Sequence, residues 1–151
     1  MIYLASDHAG FALKEKIKEY LGEFGTEVAD KGAFGLDSDD DYPDFVILAA
    51  QKVAQDLKNN RGIIFGGSGQ GEAIAANKIQ GIRAAVYYGG ALDIVKLSRT
   101  HNNANILSLG ARFLTPDQAK EAVRLWLETP FEGGRHERRI DKISKFEQEN
   151  S

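Results

Sequence analysis

Gly62-Ile63-Ile64-Phe65-Gly66-Gly67-Ser68-Gly69-Gln70-Gly71-Glu72 runs directly into Ala73-Ile74-Ala75-Ala76-Asn77-Lys78. A short apolar run stops at a glycine-dense turn, and an Ala-rich segment of good helix formers follows. That order predicts a buried strand, a tight loop and a helix start.

The same alternation extends to both sides. Strand-like apolar runs lie at Ile2–Ser6, Glu27–Asp30, Gly62–Phe65, Ile82–Tyr87 and Asn105–Leu109. Helical patterns are predicted at Phe11–Phe24, Pro43–Leu57, Ala73–Ile79, Ala91–Arg99, Pro116–Leu127 and Arg135–Glu147. Leu13, Ile17, Tyr20, Leu21 and Phe24 form one stripe of the first helix, and Pro43 suits a first helical position. Strands alternating with helices imply an α/β fold: a single three-layer, doubly wound domain over residues 1–151, Rossmann-like, with a five-stranded parallel sheet covered on both faces. A chain of 151 residues is long enough to bury a sizeable core. Ligands of such sheets bind beyond the carboxyl ends of the strands. Asp7-His8 follows the first strand, the glycine loop with Glu72 the third, and Gly110-Ala111-Arg112 the fifth.

Lacking Cβ atoms, the loop glycines let backbone N–H groups approach an anionic oxygen, and the helix start adds unpaired donors. The loop therefore suits a bound phosphate or an oxyanion formed during a reaction. Two phosphate signatures fail. The lysine of G-x-x-x-x-G-K-[ST] is absent, and with Gly67 and Gly69 as the first glycines of G-x-G-x-x-G the third falls on Glu72. A carboxylate beside an oxyanion hole instead suits proton abstraction next to a carbonyl, with the amides holding the enolate. The alternative is a first-turn glutamate that merely interacts with the helix dipole.

Other candidates also have two readings. Asp7 is either a helix cap or a member of a site at the sheet rim, where His8 adds a donor and a cation. His101, within Ser98-Arg99-Thr100-His101-Asn102-Asn103, is either part of a turn or a proton-exchanging group of the kind a sugar hemiacetal needs to open. Gly133-Gly134-Arg135-His136-Glu137-Arg138-Arg139 places cations at a helix start, against the dipole. Arg135 and Arg139 share one face, and a phosphate would suit their guanidinium forks. A solvated basic face or a small nucleic-acid patch is the alternative.

Several classes are excluded or disfavoured. A net charge of −3 argues against general nucleic-acid or membrane-surface binding. With no cysteine there is no disulfide, thiolate metal site or cysteine nucleophile. Asp37-Ser38-Asp39-Asp40-Asp41 fails as a calcium loop, since the sixth position is Tyr42 and the twelfth Leu48, and reads as a solvated acidic loop. Three scattered histidines give no zinc spacing. Met1–Asp7 lacks the basic start of a signal peptide and no apolar run reaches membrane-spanning length, so the expected location is cytoplasmic.

Taken together, Ser-Asp-His-Ala-Gly at 6–10, Asp-Tyr-Pro-Asp at 41–44, Gly-Gly-Ser-Gly-Gln-Gly-Glu at 66–72, Ala-Ala-Asn-Lys at 75–78, Gly-Ile-Arg-Ala at 81–84, His-Asn-Asn-Ala-Asn at 101–105 and Gly-Gly-Arg-His-Glu-Arg-Arg-Ile at 133–140 resemble the ribose-5-phosphate isomerase B family, which includes the galactose-6-phosphate isomerase subunits. Many members carry a cysteine base where this chain has Gly66, and another branch uses a glutamate aligned with Glu72; this chain resembles the second branch. The resemblance implies an aldose–ketose isomerase acting on a phosphorylated sugar, ribose 5-phosphate or alternatively a six-carbon sugar such as allose or galactose 6-phosphate. A non-catalytic sugar-phosphate sensor is the rival outside the enzymes. By the same comparison Glu72 is the base, His101 opens the ring with help from Asp7, and the loop Gly67, Ser68, Gly69, Gln70 and Gly71 holds the anion. Asn102 would bind substrate oxygens, and His8, Arg112, Arg135 and Arg139 would serve the phosphate. The family comparison further implies a homodimer, or a tetramer, with active sites shared between subunits, and neither metal nor cofactor.

Overall fold

Apolar residues at nearly every position of the first and third strands call for cover on both sheet faces, and the computed structural model, which describes residues 1–151, provides it. Strands β1 (Ile2–Ser6), β2 (Val28–Asp30), β3 (Arg61–Gly66), β4 (Ala84–Tyr87) and β5 (Ile106–Gly110) form one parallel sheet in the order β2-β1-β3-β5-β4. The helices are α1 (His8–Glu23), α2 (Pro43–Ala54), α3 (Gln70–Ala76), α4 (Asp93–Thr100), α5 (Pro116–Glu128) and α6 (Arg135–Glu149). Leu4, Ile63, Phe65, Leu107 and Leu109 pack with Leu13, Ile17, Val95, Val123 and Trp126 in the layer of α1, α4 and α5. Alternate residues Ala5, Ile64 and Ile106 pack with Val46, Ala49, Val53 and Ala76 in the layer of α2 and α3. The period-two exchange of faces along each strand thus builds two cores.

The expected doubly wound architecture is present, with two informative differences. Helix α1 begins at His8, before the expected Phe11, because Asp7 caps it and Gly10 lies inside its first turn. Gly10 is a close-approach residue: a Cβ there would lie 2.6 Å from Phe65 Cβ, so only glycine lets α1 settle on β3. The second difference is a 3-10 turn at Ala111–Phe113, directly after β5, which the sequence pattern did not reveal.

Winding reverses between β1 and β3, since the chain leaves β1 toward one edge strand and β3 toward the other. The loops after these two strands are therefore the lips of the crevice. At the opposite end of the sheet, the loop from α4 returns to the start of β5. There the Asn105 carbonyl accepts from Gly62 N–H at 2.9 Å, and Asn105 N–H donates to the Arg83 carbonyl at 3.0 Å.

Candidate active site

At the carboxyl edge, β3 ends in Gly66 and the chain turns through Gly67, Ser68 and Gly69 into α3. Gly69 takes φ 81°, a left-handed conformation natural to glycine, and its carbonyl accepts from Ser108 Oγ at 2.6 Å. The N–H groups of Gly67, Ser68, Gly69 and Gly71 donate to no other group of the chain, while Gln70 N–H reaches Ser68 Oγ at 3.3 Å. This leaves a run of backbone donors without partners between β3 and α3.

Glu72 is buried in the first turn of α3, and its carboxylate lies against Gly66, in the space a Cβ at position 66 would need. Burial pushes the Glu72 carboxyl above its ordinary value against a smaller pull from its own N–H, and nearby Asp7 makes the smallest contribution, also upward. A carboxylate kept short of solvent and partners is a stronger base toward carbon than an exposed one. The Arg112 guanidinium covers Gly67, with Nη1 3.0 Å from where a Cβ would stand, and Arg112 N–H donates to the Gly67 carbonyl at 3.1 Å.

Asp7 is a true helix cap: its Oδ1 accepts from Ala9 N–H at 3.0 Å and Gly10 N–H at 3.1 Å. His8 beside it donates its backbone N–H to Asp40 Oδ1 at 3.0 Å, and its ring Nδ1 lies 2.7 Å from the same oxygen. The acidic loop is thus only partly solvated, which corrects the sequence reading. Asp37, Ser38, Asp39 and Asp41 are exposed, but the Asp40 side chain is 8% exposed and bound to the site. Tyr42, from the same connection, packs its hydroxyl over Gly71. Sequence reasoning missed Asp40 and Tyr42 as candidates; the Asp-Tyr-Pro-Asp motif at 41–44 signalled Tyr42 alone, and Asp40 stood only in the acidic run before it.

The remaining candidates lie elsewhere. His101 caps the end of α4, and Asn102 follows it, exposed, at the amino edge of the sheet. The six residues of β3 separate this edge from Glu72 by roughly 16 Å at the usual rise per residue. His101 stacks on His136 of α6 with ring centroids 4.0 Å apart and planes at 12°. His136 Nε2 is 3.8 Å from Glu132 Oε2. Burial, then the neighbouring His101 and Arg135, lowers the His136 pKa below its ordinary value. Arg135 and Arg139 are exposed on the first turns of α6, where Gly134 with φ 60° starts the helix. One chain therefore gathers Asp7, His8, the glycine loop, Glu72 and Arg112 at one edge, and His101, Asn102, Arg135 and Arg139 at the other. No surface cavity is lined by Glu72, His101, Arg135 or Arg139.

Comparison with known proteins gives one answer. The sequence profile of a family described as Ribose/Galactose Isomerase matches residues 2–143. Ribose-5-phosphate isomerase B of Mycolicibacterium paratuberculosis is 44% identical over 147 residues, covering 97% of this chain and 91% of that protein. A crystal structure of ribose-5-phosphate isomerase B from Mycoplasma genitalium with bound ribulose-5-phosphate superposes with a TM-score of 0.94 at 43% identity, covering 98% of this chain and 96% of the other. The corresponding enzyme of Clostridium thermocellum gives a TM-score of 0.93 at 44% identity, covering 99% of both chains.

Proposed function

The chain belongs to the ribose/galactose isomerase family, and from that premise we propose that it interconverts ribose 5-phosphate and ribulose 5-phosphate, with Glu72 as the base. The observation that carries the reading is the buried Glu72 carboxylate, held against Gly66 beside backbone donors that have no other partner. On the open-chain aldose, Glu72 removes the C2 proton. The electron pair forms the C1–C2 double bond, and negative charge moves onto O1, where the loop amides stabilise it. Return of the proton to C1 and transfer of a proton from O2 to O1 complete the ketose. General base catalysis contributes roughly 10²–10⁴-fold, and one oxyanion donor about 10²–10³-fold.

His101, Asn102, Arg135 and Arg139 complete the site from a second copy of the chain, His101 opening the sugar ring and the arginines holding the phosphate with His8 and Arg112. Two observations support a homodimer. The residues of one chain are divided between opposite sheet edges, and Ile94 and Leu97 on α4 with Ile143 and Phe146 on α6 remain exposed. The whole chain, residues 1–151, acts as one catalytic domain in the cytoplasm, needing no metal. The test is isomerisation of five- and six-carbon sugar phosphates with and without EDTA. Conversion of ribose 5-phosphate, unchanged by EDTA, is expected; turnover of six-carbon substrates alone, or loss with EDTA, would overturn the proposal.

A further inference from the structure

The first three N–H groups of α1 are already taken. Asp40 takes the N–H of His8, and Asp7 takes those of Ala9 and Gly10, so the first turn of α1 is filled by carboxylates. The His8 ring is the side-chain donor that this turn presents. That ring is held by an acid 32 residues away in sequence, whose Oδ1 receives both the backbone N–H and the ring nitrogen. Two bonds to one oxygen fix the ring's rotation as well as its position. Asp40 Oδ2, buried, has no hydrogen-bond partner, so the carboxylate is committed to His8.

We propose that Asp40 is a positioning residue for phosphate binding: it accepts Nδ1–H of His8 and stabilises the imidazolium, so that Nε2–H is presented to the anionic end of the substrate. This deepens the isomerase reading and rests on it. An Nδ1–H donated inward fixes the tautomer, leaving Nε2 as the outward nitrogen of a ring whose side chain is 31% exposed. The charges facing the ring favour its protonated form on balance. The hydrogen bond that the ring donates to Asp40 is the largest influence, and the charges of Asp7 and Asp40 add to it. Burial and Arg112 oppose, and the net direction for His8 is upward from 6.5. A charge-assisted bond to phosphate is about twice as strong as a neutral one.

Asp40 could instead be a tether for the connection after β2, whose start is already held by Lys14 Nζ donating to the Ala33 carbonyl at 2.8 Å. Asp40→Asn distinguishes the two, because the amide keeps an acceptor for His8 and removes only the charge. Positioning predicts that kcat is unchanged within about twofold. It also predicts a KM for ribose 5-phosphate that matches wild type near pH 6 and rises about fivefold at pH 7.5, as the unassisted ring loses its proton. In a His8→Gln background, Asp40→Asn should have no further effect on KM. A pH-independent rise, or a rise that persists without His8, would show a tether and overturn the proposal. Nitrogen-15 NMR of the wild-type protein gives a measurement that needs neither turnover nor a folded variant. Nδ1 should carry a proton at neutral pH and the ring should titrate above 6.5; an unprotonated Nδ1, or a titration at or below 6.5, overturns the proposal. If wild type isomerises no sugar, the isomerase reading fails. The Asp40 proposal is then still decided by the NMR titration and by calorimetric affinity for inorganic phosphate at the two pH values.

Discussion

Glu72 works against the fold that holds it. Its pKa is raised by burial, so the folded state favours the neutral acid. The stability this group contributes is present below its ordinary value of 4.5 and is lost as pH rises through the higher folded value. Glu72→Gln, uncharged throughout, should therefore melt higher than wild type at pH 7–8 and equally near pH 4, while kcat falls by at least ~10²-fold. Matching melting curves at both pH values would show that the carboxylate is not destabilised. Gly66 bears on the same group from the other side. Gly66→Ala places a methyl where the Glu72 carboxylate lies, and a base displaced by about 1 Å should lose on the order of 10²-fold in kcat with the fold retained. Normal turnover in that variant would mean that the carboxylate works from another position. Glu72 was legible in the sequence because strand, loop and carboxylate are contiguous. Asp40 was not, because its partner is distant in the chain and an acid among acids looks solvated.

Elements were legible to within a few residues because each strand is apolar and each helix amphipathic. The errors sit where a tertiary contact overrides local preference, as at Gly10 pressed against Phe65, or where a turn lacks periodicity, as at Ala111–Phe113. Helix α6 departs from local preference in another way. Its first turns carry Arg135 and Arg139 against the dipole, with no carboxylate in ion-pair contact with either. Replacing either with Ala should leave thermal stability unchanged or slightly raised, while weakening a sugar phosphate about tenfold or more and leaving the unphosphorylated sugar unaffected. Calorimetry with both ligands checks this; equal losses would make the arginines structural.

At the scale of the molecule, sequence order put Asp7-His8, the glycine loop and Arg112 at one rim and left the place of His101, Arg135 and Arg139 open; the parallel sheet sends the ends of strands and the ends of helices to opposite edges. Residues following α4 and preceding α6 therefore cannot join those following β3 within one chain. Pattern reading places a residue on an element without saying which copy of the chain it will serve. The proposed dimer makes a sharp prediction. Mixing Glu72→Gln with His101→Asn chains, each inactive alone on ribose 5-phosphate, should form hybrids in which one site has both wild-type residues, recovering about a quarter of wild-type activity under random pairing. No recovery after verified subunit exchange would place both residues in the same chain's site. The height of the sheet has a further consequence. A ligand that must touch both edges can do so only by bridging two chains, so occupancy and association are thermodynamically linked and each strengthens the other by the same factor. A substrate analogue would then behave as an adhesive between protomers, and dilution would act as an inhibitor competing with the sugar.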